Sequence, residues 1–170
     1  MTGSPLLVVL GPSGNGKSTL GEALSAAFEV PFQDADALHP TANVAKMTAG
    51  IPLTDQDRAP WLATVHDRLA AHAATGLVMA CSALKLRYRD ILRAGLPQLG
   101  FVLPAVPKEV LIERVARRQG HYMPASLVDS QLAAFEPLRP EENGLTLDGT
   151  LPVLDLTDAV IAWLTPSASR

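Results

Sequence analysis

The stretch VVLGPSGNGKST, Val8 to Thr19, decides how the rest of the chain is read. An apolar run leads into three glycines within six residues, followed by a lysine and two hydroxyl side chains. Glycines concentrated in one turn are costly in conformational entropy, so they imply unusual backbone angles or a ligand held close to the main chain. Gly11 to Ser18 fits the pattern of a glycine, four residues, a second glycine, a lysine and a serine or threonine. In such a loop successive N–H groups curl around an anion, and the helix that follows aims its positive end at the same point. The context is the required one: an apolar strand precedes the loop, and Leu20, Leu24 and Phe28 form an apolar stripe after it. The motif implies a bound nucleoside triphosphate. Its candidate contacts are Gly11, Pro12, Ser13, Gly14, Asn15, Gly16, Lys17, Ser18 and Thr19, with Lys17 reaching the outer phosphates and Ser18 ligating magnesium.

The 170 residues suffice for one domain with a substantial core, and hydrophobic residues at 48% against 18% charged exclude a disordered or heavily charged tail. A net charge of -3 offers nucleic acid or an anionic membrane no global attraction, so anions must be met by a local site. The single cysteine, Cys81, excludes an internal disulfide and reads as a buried thiol at a strand end. No apolar run approaches the roughly 20 residues of a membrane span, and Leu6–Leu10 is too short for a signal core. A cytoplasmic location is expected.

Short apolar runs at Leu6–Leu10, Val30–Gln33, Leu77–Cys81, Phe101–Leu103 and Leu145–Leu147 alternate with helical patterns. This predicts an α/β fold with a five-stranded parallel sheet covered by helices on both faces. Helices are expected from Lys17, from about Pro60 through Leu69, over Lys85–Ala94, from Pro107 to about Arg118, over Ser126–Phe135 and from Pro152 to Leu164. No repeat or linker divides residues 1–170.

The second strand ends in QDADALHP, and a short crossover from Lys17 returns it beside the phosphate loop. Alternation in an extended segment points Asp34 and Asp36 the same way, so Asp34 suits a metal-bound water and Asp36 the hydroxyl of an acceptor. Loop marking or helix capping is the alternative. No guanine-specifying NKxD sequence is present, and large motor ATPases need a longer chain.

From Leu7 to about Leu164 the chain resembles the gluconate kinases, small P-loop kinases related to shikimate and adenylate kinases. The resemblance rests on GPSGNGKS, on DADALHPTANVAKMTAGIPLTDQDRAPWL (Asp34 to Leu62), on ACSALKLRYRD (Ala80 to Asp90) and on RRQGHYMPASLVDSQ (Arg117 to Gln131). The chain departs from the family at Ala35, where glycine is usual, and at Gln119, where lysine is common. Neither change removes a carboxylate or an arginine.

The resemblance implies ATP and Mg2+ as cofactors and gluconate as the acceptor, phosphorylated to 6-phosphogluconate. It implies an acceptor-binding insert over about 36–62 and a mobile lid over about 114–131, and it points to a homodimer. Another small polyol or sugar acid, or nucleotide sensing without turnover, are the competing functions. The insert supplies His39, Asn43, Lys46, Arg58 and Trp61. Arg58 either grips a carboxylate through two parallel bonds or pairs with Asp55 or Asp57 at a helix start. His39 is a ligand or a packed histidine, Trp61 a contact or core, and Lys46 a contact or a solvated lysine. Ser82 contacts the acceptor or caps the next helix. Lys85 and Arg89, four apart, form an anion-binding edge or an exposed basic stripe. In the lid, Arg114 and Arg118 close over the triphosphate or cap a solvated helix end, and His121 and Gln131 complete the acceptor contacts. Lys17, Asp36 and Arg118 carry the expected catalysis, with Ser18 and Asp34 as metal partners.

Overall fold

The computed structural model describes residues 3–118 and 127–166, with the side chain of Leu127 left aside. Five parallel strands stand in the order β2-β3-β1-β4-β5: β1 Leu6–Leu10, β2 Phe32–Asp34, β3 Leu77–Cys81, β4 Gly100–Ala105 and β5 Gly144–Asp148. Every residue of β1 and β3 is buried, as their continuous apolar runs require of central parallel strands. Each of the five expected strands is present: β1 and β3 have the expected bounds, and the ends of β2, β4 and β5 shift by one or two residues. Among the described residues no helix is long and apolar enough to cross a membrane.

Alternation along β1 sends its side chains into two cores. Leu6, Val8 and Leu10 join Trp61, Leu62, Val65 and Leu69 of helix α3 (Asp55–Ala71) and Tyr88 and Leu92 of α4 (Leu86–Arg93). Leu7 and Val9 face the other way, onto Leu20 and Leu24 of α1 (Lys17–Phe28) and Leu156 and Val160 of α7 (Val153–Leu164). The remaining helices are α2 (Thr41–Thr48), α5 (Lys108–Arg117) and α6 (Leu127–Ala134), and a 3-10 turn spans Ala35–Leu38. Leu111 and Val115 of α5 meet Val128 of α6 in a smaller cluster apart from the two sheet cores.

Two local expectations change. Helix α3 begins at Asp55, five residues before Pro60, because Thr54 and Asp57 form a reciprocal capping box: Asp57 N donates to Thr54 Oγ1 at 3.1 Å and Thr54 N to Asp57 Oδ2 at 2.9 Å. Pro60 then lies inside the helix, where it forgoes one backbone bond. The aspartate pair is not extended either. Asp34 closes β2 and caps the 3-10 turn, accepting the Asp36 N–H at 2.9 Å, so Asp36 enters on a tight turn instead of a pleat.

The chain leaves β1 toward β2 on one side of the sheet and later reaches β4 on the other. The carboxyl end of β1 is therefore where the winding reverses, the place at which open α/β sheets bind ligands.

Candidate active site

The phosphate loop is built around Asn15. Its buried amide donates to the carbonyls of Leu10 at 2.9 Å and Pro104 at 3.0 Å, tying the loop to the ends of β1 and β4. Its carbonyl oxygen accepts the Lys17 N–H at 3.1 Å. Gly11 has φ +135, and a Cβ there would stand 2.0 Å from the Asn15 amide nitrogen. The glycine thus makes room for the residue that braces the loop.

Lys17 opens α1 and is buried, its ammonium 3.4 Å from the Pro12 carbonyl. Burial pushes its pKa down, while the charges of Asp36 and then Asp34 oppose that shift. Both carboxylates therefore lie within electrostatic reach of the lysine at the carboxyl edge, as the sequence implied. Cys81 is buried beside them, and burial raises its thiol further from ionisation, which makes it inert.

A cavity of about 360 Å³ opens over this loop. Gly14 to Thr19 form its floor, Arg114 and Arg118 one wall, and Gly149, Leu151, Val153 and Leu156 the other. Arg114 donates to the Gly14 carbonyl at 3.1 Å, so this arginine is fixed to the loop itself. Arg118 is exposed at the end of α5, close enough to Lys17 to lower its pKa. Arg117 points away, paired with Glu113 at 2.6 Å.

A second cavity, of about 190 Å³, is lined by His39, Met47, Ile51, Pro52, Leu53, Arg58, Ser82, Lys85, Ser130, Gln131 and Ala134. Two connections bring it against the first. Gln131 accepts the N–H of Ser13 in the phosphate loop at 2.7 Å, and His39 lies three residues beyond Asp36. Five of the expected acceptor residues thus converge: His39, Arg58, Ser82, Lys85 and Gln131. His121 lies outside the described residues.

Three expected acceptor residues are placed elsewhere. Arg89 is fully buried, pairing with Glu142 and donating to the carbonyls of Ala83, Glu136 and Pro137. All three of its nitrogens are engaged, so it has no bond to offer a substrate. Lys46 pairs with Asp57 at 2.9 Å and serves the capping box, and it is not among the cavity's lining residues. Trp61 is fully buried, its indole N–H bonded to the Ala35 carbonyl at 2.7 Å. Its ring stacks on His39 with centroids 4.1 Å apart, so it backs a cavity residue from behind.

Tyr88 and Asp55 are the site residues that sequence reasoning missed. The buried Tyr88 ring carries Arg58 at 5.4 Å and Lys85 at 5.6 Å, both within cation–π range. Its hydroxyl donates to Asp55, which also pairs with Lys85 at 3.2 Å. The available signal was Tyr88 lying one turn from Lys85 in SALKLRYRD.

His39 is held neutral. Burial first, and the Arg58 charge second, push its pKa down to about 4. The Asn43 amide donates to Nδ1 at 3.2 Å, which leaves the ring proton on Nε2.

A triphosphate cradle and a small cationic cavity sharing one edge of a five-stranded parallel sheet place the protein among the small P-loop kinases. The chain is 48% identical over 145 residues to the gluconokinase of Gluconobacter oxydans (strain 621H), covering 84% of this chain and 82% of that one. It is 39% identical over 155 residues to the thermosensitive gluconokinase of Escherichia coli (strain K12), covering 89% and 82%. The chain belongs to the gluconokinase family. Among solved structures it superposes on a sugar kinase from Janibacter sp. HTCC2649 with a TM-score of 0.89 at 42% identity, covering 96% of both chains. A gluconokinase from Sinorhizobium meliloti 1021 gives 0.84 at 44% identity, covering 95% of this chain and 92% of that one. Shikimate kinase from Aquifex aeolicus, at 0.65 and 15% identity, shares the fold. No family model matches the chain.

Proposed function

We propose that the protein transfers the terminal phosphoryl group of ATP to gluconate, giving 6-phosphogluconate and ADP. The observation that carries this reading is the cavity beside the phosphate loop, which is of small-molecule size and presents Arg58 and Lys85 to an anion. An open-chain sugar acid offers one carboxylate to those cations and a row of hydroxyls to His39, Ser82 and Gln131.

The loop N–H groups and Lys17 hold the outer phosphates, and Arg114 and Arg118 add positive charge from the opposite wall. Asp36 orients the terminal hydroxyl of the acceptor and receives its proton as the oxygen bonds to the γ-phosphorus. The bond from that phosphorus to the β-bridging oxygen breaks, and ADP leaves. Neutral His39 donates from Nε2 to the acceptor, which positions the substrate without adding a charge.

A divalent cation fits the donor set. Among the described residues no three His, Cys, Asp or Glu side chains form a metal cluster, but Ser18 offers a hydroxyl in the cavity over the phosphate loop and Asp34 a carboxylate within electrostatic reach of Lys17. Magnesium is commonly bound by one or two carboxylates together with substrate phosphates and water. When bound, it would neutralise charge on the outer phosphates.

The ATP requirement supports a cytoplasmic site of action, and the resemblance to gluconate kinases supports a homodimer. An ADP-release assay with ATP, Mg2+ and a panel of sugar acids and polyols tests the activity. Gluconate should be the preferred acceptor, and Lys17→Ala should lower turnover by orders of magnitude while the protein stays folded. Absence of gluconate-dependent ADP release in the wild type overturns the reading.

A further inference from the structure

Gln131 lines the acceptor cavity and is bonded to the phosphate loop. Its side-chain oxygen holds the Ser13 N–H of the phosphate loop at 2.7 Å, across 118 residues of sequence. The same residue lines the acceptor cavity beside Ser130 and Ala134, one face of helix α6. Both ends of the bond are buried, Ser13 at 4% exposure and Gln131 at 7%.

The mechanical setting of α6 gives that bond a use. The helix is anchored by the small cluster of Leu111, Val115 and Val128, apart from the cores that hold the sheet. Elements with few buried apolar contacts move at the lowest cost in free energy. Just after the helix the chain is pinned: Glu136 N donates to the Leu84 carbonyl at 2.7 Å, and the Glu136 carboxylate accepts the Leu86 N–H at 3.1 Å. Among the described residues, helix α6 is thus fixed at its exit, held along its length by that one small cluster and the surface Lys108–Asp129 pair at 2.9 Å, and bonded midway to the phosphate loop.

We propose that Gln131 couples the two substrates, an inference that rests on the acceptor reading of the second cavity. An acceptor bound against Ser130 and Gln131 fixes the Gln131 amide, and through it the Ser13 end of the loop that receives the triphosphate. Ordering achieved by one substrate need not be repeated for the other, so each binds more tightly when its partner is present. By linkage the factor is the same in both directions.

Calorimetric titration measures it. The probes are gluconate and the β,γ-imido analogue of ATP with Mg2+, each alone and each with the other saturating. In the wild type each should raise the affinity of the other by roughly fivefold or more. Gln131→Met keeps the side-chain volume but removes the oxygen, and the factor should fall to about one. Gln131→Glu restores an oxygen for Ser13 and should recover the coupling, although its negative charge weakens binding of the analogue alone. A wild-type factor of one, or an unchanged factor in folded Gln131→Met, overturns the coupling and leaves the acceptor assignment standing. Failure of gluconate to bind the wild type under either condition overturns the acceptor assignment, and the coupling with it.

Discussion

Arg89 and Glu142, 53 residues apart in sequence, meet in a doubly hydrogen-bonded pair, Nε to Oε1 at 2.7 Å and Nη2 to Oε2 at 3.0 Å. Their side chains are 0% and 1% exposed. The pair locks the loop after α6 onto the start of α4, behind the acceptor cavity. Removing one partner of a buried ion pair strands the other charge, at a cost of about 3–5 kcal/mol. Arg89→Met should therefore lower the unfolding free energy by about that amount in a denaturant titration. A change within about 0.5 kcal/mol, typical of surface substitutions, would contradict the role.

The same pair makes part of the stability depend on pH. Burial favours the neutral form of Glu142, but bonds from Arg89 and the Arg139 N–H outweigh it and hold the carboxyl below its usual value of 4.5. The folded state then binds fewer protons than the unfolded one between the two values. Its stabilisation is complete above the unfolded pKa and is lost as pH falls through the folded one. Glu142→Gln should flatten this part of the acid limb in stability measured against pH.

The fate of Arg89 also shows where sequence reasoning stops. Lys85 and Arg89 are four apart, a spacing that places both on one face of a helix. Lys85 is in fact the residue before α4, with φ -101 and ψ 148, so only Arg89 follows helical geometry. A boundary error of one residue separates a cavity cation from a buried one. The partner Glu142 carries no signal of its pairing in the sequence, since that pairing depends on how the chain after α6 returns to α4. Trp61 likewise needed the third dimension, because its bond to Ala35 and its stacking on His39 are both tertiary. The strands and the phosphate loop were legible because their signals are local: continuous apolar runs, and a glycine pattern that few other turns require. Helix α3 was misplaced where Pro60 outweighed the Thr54 and Asp57 capping box three residues apart.

Asp34 and Asp36 should separate by substitution. Asp36→Asn removes the charge that receives the hydroxyl proton, so kcat should fall far more than ATP affinity does. Asp34 also accepts the Asp36 N–H, a bond that asparagine can keep and alanine cannot. Asp34→Asn should shift the Mg2+ dependence of turnover, whereas Asp34→Ala should additionally displace Asp36 and lower kcat. Identical Mg2+ curves for wild type and Asp34→Asn would remove Asp34 from the metal site.

His39 titrates well below the ordinary histidine value of 6.5, at about 4. It is neutral in the folded protein at neutral pH, so acceptor KM should show no inflection near 6.5 that His39→Gln removes. In the unfolded chain the ring gains its proton near 6.5, so the unfolded state binds more protons between that value and about 4. The contribution of His39 to stability is present above 6.5 and declines as pH falls toward 4. Imidazole chemical shifts followed against pH by NMR measure this directly, and a titration midpoint near 6.5 would contradict it.

Two cavity cations compete for the acceptor carboxylate, and their surroundings rank them. Lys85 is already paired with Asp55, which Arg87 also contacts. Arg58 forms no salt bridge among the described residues, and only its Nη1 is engaged, with the Leu53 carbonyl at 2.6 Å and the Tyr88 hydroxyl at 3.4 Å. Its remaining donors suit a carboxylate, whereas Lys85 meets one with its charge partly cancelled. Loss of a charge-assisted hydrogen bond costs roughly 1.5–3 kcal/mol, so the uncharged polyol sorbitol should be used at least about tenfold to a hundredfold less well than gluconate. Arg58→Ala should narrow that ratio by weakening gluconate selectively. Lys46→Ala, which breaks only the pair with Asp57, should leave the ratio unchanged. The measurement is kcat/KM for both acceptors in the three proteins. An unchanged ratio in Arg58→Ala would transfer the carboxylate to Lys85, and equal use of sorbitol and gluconate by the wild type would overturn the sugar-acid assignment.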